Sequence, residues 1–312
     1  MTMPKSFDGR LKVPAIASPM FLASGPDLVV ATCRAGVIGT FPALNQRTTE
    51  GYGEWLSEIE DRLSGHADAA PYGVNLIVHR SNKRLEADLA LTVERKVPLV
   101  ITSLGANPDV VSAVHSYGGL VFHDVINPRH ARKAAEAGVD GIIAVCAGAG
   151  GHAGTMSPFA LVSEIRTFYE GAIILAGAIN TGAQIAAARA MGADLAYLGT
   201  RFLATAEAMI VDDYKQMILD ATAADILYTP AISGVNANFL RPSIERAGLD
   251  PDNLQHAGSL DMGSEAKVWK NIWSAGQGTG TITDLPPAAE LCERLRAEYR
   301  AACAALASDP YA

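Results

Sequence analysis

AAEAGVDGIIAVCAGAGGHAGTMS, residues 134–157, contains both the unit from which this chain is built and the loop that departs from it. An alanine-rich stretch with helical spacing stops at Gly138. Asp140 follows, and Gly141-Ile-Ile-Ala-Val145 is a short apolar run of the kind that a strand buried on both faces requires. The same order returns at 187–198, AARAMGADLAYL, with the stop at Gly192. Helix, glycine and apolar strand, repeated, read as consecutive βα units around a parallel sheet.

Followed outward, the pattern predicts strands near 15–18, 37–41, 72–76, 99–103, 120–123, 141–145, 173–176 and 195–198. Helical periodicity fills the intervals at 27–35, 52–63, 84–95, 108–117, 128–137, 158–168 and 182–191. Several of these segments open on a cap and a proline, as at Asn107-Pro108 and Asn127-Pro128. Eight such units favour an α/β fold of the (β/α)8 TIM barrel type over an open doubly wound sheet. From about residue 208 the repeat fails. Residues 208–284 carry Trp269 and Trp273 and are expected to form a mostly helical insert after strand 8, a lid or substrate domain capping the C-terminal mouth. The charged amphipathic stretch 287–306 should return as an outer layer, so that 1–207 with 285–312 makes the barrel.

The 312 residues, 49% hydrophobic and 19% charged, suffice for a large core. A net charge of −8 without a lysine or arginine cluster argues against nucleic acid as a partner. No apolar run approaches the roughly 18 residues of a membrane span, and the start lacks a signal-peptide core. A cytoplasmic location away from the membrane is therefore expected. Cys33, Cys146, Cys292 and Cys303 are scattered without a C-x-x-C pair, so neither disulfides nor a cysteine zinc site is expected.

A barrel carries a functional forecast: ligand residues gather after strand C-termini, with phosphate after strands 7 and 8. There the chain reads Ala176-Gly-Ala-Ile-Asn-Thr-Gly182 and Gly199-Thr-Arg-Phe202, whose backbone N–H groups suit an anion. The other strand ends bring Ser18, Pro19, Met20, Asn75, Ser103, Gly105, His123 and Asp124, then the glycine loop with His152 at its centre. A loop histidine is more often hydrogen-bonded or solvated than catalytic. Gly148-Ala-Gly-Gly-His-Ala153 matches a loose dinucleotide fingerprint, but it lies near mid-chain with no helix directly after it. No lysine occupies a Schiff-base position at a strand end, and no carboxylates are paired there. His123, Asp124 and His152 offer fewer acidic groups than barrel metal sites use, so no metal is expected. One general-base candidate remains in an apolar, phosphate-capable mouth, a site suited to a bound cofactor that carries the chemistry.

At this point the residues meet a resemblance. PAIASPM at 14–20, Gly73-Val-Asn-Leu76, Gly150-Gly-His-Ala-Gly154, Ala176-Gly-Ala-Ile179, Leu198-Gly-Thr-Arg-Phe202 and Trp273-Ser-Ala-Gly-Gln277 resemble, in order, the motifs of the nitronate monooxygenase family, formerly 2-nitropropane dioxygenases. The resemblance spans nearly the whole chain. It implies an FMN-containing barrel enzyme that oxidises alkyl nitronates or nitroalkanes with O2 to a carbonyl compound and nitrite. It further implies that Pro19 and Met20 approach the flavin by backbone and that Asn75 bonds its polar edge. Gly150 and Gly151 would make room beside the ring, and Gly177, Ala178, Gly199 and Thr200 would hold the phosphate. His152 would be the active-site histidine, able near neutral pH to take a proton beside a nitro group or to balance a nitronate's charge.

Two positions depart from the family pattern: Asp124, where relatives often carry lysine or a small hydroxyl residue, and Val145, where they carry Gln or Asp. An anion at Asp124 opposes negative charge nearby unless His123 or an arginine pairs with it. Two rival readings stay open: an FMN-dependent reductase using NAD(P)H on a quinone or enoyl thioester, and a flavin-free barrel lyase or isomerase. Trp269 and Trp273, at i, i+4 spacing, suit a packed helix face as well as a substrate wall.

Overall fold

The computed structural model describes residues 3–254 and 269–310. Strands β1 (Ala15–Ala17), β2 (Ile38–Pro42), β3 (Gly73–Ile77), β4 (Leu99–Ser103), β5 (Leu120–Val125), β6 (Gly141–Val145), β8 (Ala172–Ala176) and β9 (Leu195–Leu198) close into a parallel barrel. β9 pairs back onto β1, with Tyr197 opposite Ile16. β7 (Gly151–His152) lies outside the barrel. Helices α1 (Pro26–Arg34), α2 (Thr49–Leu63), α3 (Leu85–Glu94), α4 (Pro108–His115), α5 (Pro128–Glu136), α6 (Pro158–Arg166) and α7 (Gly182–Ala190) fill the intervals. The barrel is therefore the one the repeat predicts. α2 starts earlier than its periodicity suggests, because Thr48 caps it by accepting the Gly51 N–H while Gly51 and Gly53 dilute the helical signal of its first turns.

The continuous apolar runs feed two cores at once. Ile101, Phe122, Ile143, Ile174 and Leu195 point into the barrel, while their neighbours Val100, Val121, Ile142 and Ile173 pack outward against helices. Phe7 meets Phe122 edge to face, with centroids 6.2 Å apart. The helix Ala288–Ala307 lies on α7 and α1 as an outer layer. Gly182 allows this approach, since a Cβ there would run into the Leu295 carbonyl and the Tyr299 backbone nitrogen.

After β9 come the short α8 (Thr200–Leu203), then α9 (Asp212–Asp220) and α10 (Arg241–Arg246). Two strands that the sequence pattern does not announce, β10 (Ile226–Thr229) and β11 (Ala237–Leu240), pair antiparallel, and β11 in turn pairs with β7. Residues 255–268, part of the expected insert, lie outside the described residues. No helix among the described residues is long and apolar enough to cross a membrane.

Candidate active site

Strand alternation decides which side chains crown the barrel interior. Counting by twos from the inward apolar positions, the top inward layer is Asn75, Ser103, Asp124, Val145, Ala176 and Tyr197, and all six line one cavity of about 1660 Å3 at the C-terminal mouth. The residues assigned from the sequence to a base or cofactor role reach the same cavity: Pro19, Met20, Asn75, Gly150, Gly151, His152, Gly177, Ala178, Gly199 and Thr200.

One half of the layer is polar. Asn75 spends its amide nitrogen on the Ile101 carbonyl (3.1 Å) and the Ser103 hydroxyl (2.8 Å), which leaves its Oδ1 as an acceptor. Ser103 donates to Asp124 Oδ2 at 2.5 Å, whereas Asp124 Oδ1 is buried and accepts no hydrogen bond. Burial pushes the Asp124 carboxyl up to about 6, against the smaller lowering effects of the Ser103 bond and the nearby His152. His123 does not neutralise it. One residue earlier on β5, it falls on the opposite face, where its Nδ1 shares a hydrogen bond with Thr102 at 2.7 Å. Burial, with His130 adding to it, holds His123 down at about 4, so it is neutral at pH 7. No arginine or lysine among the described residues forms an ion pair with Asp124 either.

His152 follows the glycine loop and is held as a strand residue. Ala237 stands opposite it on β11, and Asn238 stands opposite Gly151. Ser274 fastens this pair, accepting the Gly151 N–H at 2.7 Å and donating to the Asn238 carbonyl at 2.6 Å. Asn238 reaches on to the Ala149 carbonyl (2.6 Å), and Gln277 N–H donates to the Gly148 carbonyl (2.9 Å). The loop glycines answer to this clamp. A Cβ on Gly150 would sit 3.0 Å from Gly276 N, and one on Gly276 would sit 2.5 Å from Gly148 O. Gly151 instead needs its positive φ of 68° and has open space where a side chain would stand. Trp269 lies edge-on to the His152 ring at 5.8 Å, while Trp273 is buried and stacks on Tyr214 at 4.7 Å.

The two turns after β8 and β9 face the cavity with backbone. The N–H groups of Gly177, Ala178, Gly199 and Thr200 are not spent on the surrounding turn and cap bonds. Ala178 adopts φ 52°, a left-handed conformation that a residue other than glycine seldom takes. Close packing leaves no room for side chains here: a Cβ on Gly177 would meet the Ala147 carbonyl at 2.9 Å, and one on Gly199 the Ser18 hydroxyl at 2.9 Å. The N-terminus of α7, by contrast, is already satisfied. Gly182 N–H donates to Glu298 at 2.7 Å, and Thr181 and Gln184 form a capping box. Arg201 turns away to Asp284 at 2.8 Å. An anion placed here would meet backbone N–H groups and the Thr200 hydroxyl, which accepts the Gly276 N–H at 2.8 Å, rather than Arg201.

Several residues at the site escape a sequence reading. Asn45 pins the turn after β1, accepting the Leu22 N–H (2.8 Å) and donating to the Met20 (3.1 Å) and Ser24 (2.8 Å) carbonyls. Ser24 caps the Met20 N–H at 2.9 Å. Ser274, Asn238, Tyr197 and Tyr214 join them. Tyr197 carried a signal in its inward place at a strand end, and Ser274 lies in the Trp273–Gln277 motif, which does not announce its bond to the loop.

A closed parallel barrel with a polar and backbone-lined cavity over its C-terminal mouth defines a (β/α)8 enzyme. Residues 82–298 match the family model described as nitronate monooxygenase, and the chain belongs to that family of flavin-type oxidoreductases. It is 29% identical to a nitronate monooxygenase of Paraburkholderia phytofirmans over 342 aligned positions, which cover 92% of each chain. Among solved structures it is similar to a nitroalkane oxidase of Streptomyces ansochromogenes, with TM-score 0.81 and 27% identity over 97% of this chain and 100% of that one. FabK of Thermotoga maritima shares the fold at TM-score 0.81 and 24% identity, covering 98% and 99%.

Proposed function

We propose that this protein is an FMN-dependent nitronate monooxygenase, converting alkyl nitronates, and nitroalkanes once deprotonated, into a carbonyl compound and nitrite with O2. The observation that carries the reading is His152, clamped at the edge of a cavity in which the turns after β8 and β9 offer four unspent backbone N–H groups. The names of the nitronate monooxygenase and nitroalkane oxidase relatives support the substrate class.

The residues present fit FMN. A cradle of Gly177, Ala178, Gly199 and Thr200, too tight for added side chains at its two glycines, suits a phosphate monoester, and Asn75 Oδ1 offers an acceptor to the ring's polar edge. Pro19 and Met20 would contribute backbone beside it, and Gly150 and Gly151 a loop without side chains. When bound, FMN supplies the electron-accepting centre that no side chain of the cavity provides. His152 takes the proton from the carbon beside a neutral nitro group, or as imidazolium balances the charge of a nitronate. The described parts of 208–284 act as the lid, with Trp269 against the His152 ring and the 274–277 strap bonded to the glycine loop.

Anaerobic titration of the FMN-loaded protein with propyl 2-nitronate, followed by visible absorbance, tests the reading: rapid bleaching is expected. His152→Ala should lose about 10^2- to 10^4-fold in turnover of neutral nitroalkanes and less with preformed nitronates. A flavin that ignores nitronate and bleaches with NADH would replace this reading with the reductase.

A further inference from the structure

We infer that Asp124 is a proton-uptake site: an anion entering the cavity brings a proton from solvent onto the Asp124 carboxylate, so that the barrel mouth does not hold two facing negative charges. The inference rests on the reading above only for the identity of the natural anion, a nitronate. Asp124 stands in the inward layer at the end of β5 and lines the same cavity as His152 and the four backbone donors. Its Oδ2 has one donor, Ser103, and its Oδ1 is buried with none. A carboxylate held by one hydrogen bond is weakly stabilised, and a bound molecule that strips the remaining water disfavours its charge further.

Among the described residues, the neighbours leave no other way to neutralise it. From β3 comes Asn75, from β4 Ser103, from β6 Val145 and from β8 Ala176, all uncharged. Tyr197 on β9 stays protonated, because burial pushes its hydroxyl well above the ordinary range. His123 is on the other face of β5 and neutral. Among the described residues, His152 on β7 is the one group whose positive charge acts on Asp124, and under the proposed function it faces the substrate. The Asp124 carboxyl, already pushed up to about 6, is ionised at pH 7 and close enough to neutrality for a nearby anion to protonate it. The balance is simple: carboxylate, anion and one solvent proton become carboxylic acid and bound anion.

Isobutyrate, an unreactive carboxylate with the shape of propyl 2-nitronate, is the probe. Its binding to the FMN-loaded protein is followed calorimetrically at about pH 7.5 in two buffers of different ionisation enthalpy. Wild type should take up about one proton more than Asp124→Asn, and His152→Asn should keep that proton. Affinity should fall by up to about tenfold per pH unit above pH 6 and level off below it, a profile flattened in Asp124→Asn. Ser103→Ala, which removes the one hydrogen bond to the carboxylate, should move the onset to higher pH. Equal uptake in wild type and Asp124→Asn would overturn the inference. So would failure of wild type to bind isobutyrate at about pH 5, where Asp124 is already neutral. Oxidation of propyl 2-nitronate is read on the same preparations. Proton uptake without nitronate consumption keeps Asp124's role and removes the monooxygenase.

Discussion

Ser274→Ala separates the clamp on His152 from the barrel beneath it. The Ser274 hydroxyl is 7% exposed as a residue and makes two short bonds, accepting from Gly151 N at 2.7 Å and donating to Asn238 O at 2.6 Å. Alanine fits the space and creates no clash, so the cost is that of two polar groups losing their partner. The Asn238 carbonyl belongs to a residue 2% exposed, where water cannot replace the hydroxyl, and stranding it costs about 1 to 3 kcal/mol. Gly151 is half-buried, and water can partly satisfy its N–H, adding about 0.5 to 1 kcal/mol. A total of about 1.5 to 4 kcal/mol should appear as a lower urea midpoint at unchanged slope. The loosened pair is β7 against β11, so kcat/KM with a neutral nitroalkane should fall in conditions where the variant is fully folded. Ser163→Ala, on the exposed face of α6 with a bond only to the Phe159 carbonyl, serves as the control and should change neither quantity. A Ser274→Ala protein with wild-type stability and wild-type turnover would refute the clamp.

Gly276→Ala places a Cβ 2.5 Å from the Gly148 carbonyl and must push the strap off the loop; a loss of about 1 to 3 kcal/mol in thermal unfolding is expected, with weaker FMN retention. Asn45→Ala releases three bonds from the turn carrying Met20 and the left-handed Leu22 (φ 60°), and FMN affinity measured by fluorescence quenching should fall at least about tenfold. Stability against pH should report two buried groups of opposite sign. His123 sits below its ordinary 6.5, at about 4, so its stabilising neutral form is lost as pH falls through that window, and His123→Asn should remove about 3 kcal/mol of acid sensitivity. Asp124 sits above its ordinary 3.8, at about 6, so its contribution is present in acid and lost as pH rises through 6; Asp124→Asn should steepen the acid loss that His123 causes.

The barrel is legible in the sequence because parallel strands buried on both faces must be largely apolar, as in the runs Gly141–Val145 and Ala172–Ala176. The polar half of the mouth is legible too, through the period of two that points Asn75, Ser103 and Asp124 inward and sends His123 outward. The clamp is not. Gly151 and Ser274 are 123 residues apart, Gly150 is small because Gly276 approaches it, and β7 is two residues long. Such demands arise only between segments already folded, so the glycines of the loop suggest a ligand when part of their reason is another stretch of backbone. Gly182 makes the same point, being a glycine in a stretch that reads from the sequence as an anion site but whose smallness serves the closing helix.

The two halves of the site therefore have different owners. Donors after β8 and β9, together with Asn75, belong to the barrel, whose strands are fixed on both sides by neighbours. His152 is bonded both ways. Gly154 N–H holds to the Val145 carbonyl at 3.2 Å, where a Cβ would crowd the Ile126 and Val145 carbonyls at 2.9 Å, while Ala153 takes the Tyr228 hydroxyl at 2.9 Å and His152 pairs with Ala237. Any displacement of β10 and β11 must break that pairing or carry the imidazole with it. Under the proposed function, a base mounted in this way could be retuned by changes in the insert that leave the backbone after β8 and β9 untouched, so that one barrel would keep its cofactor while its substrate changes.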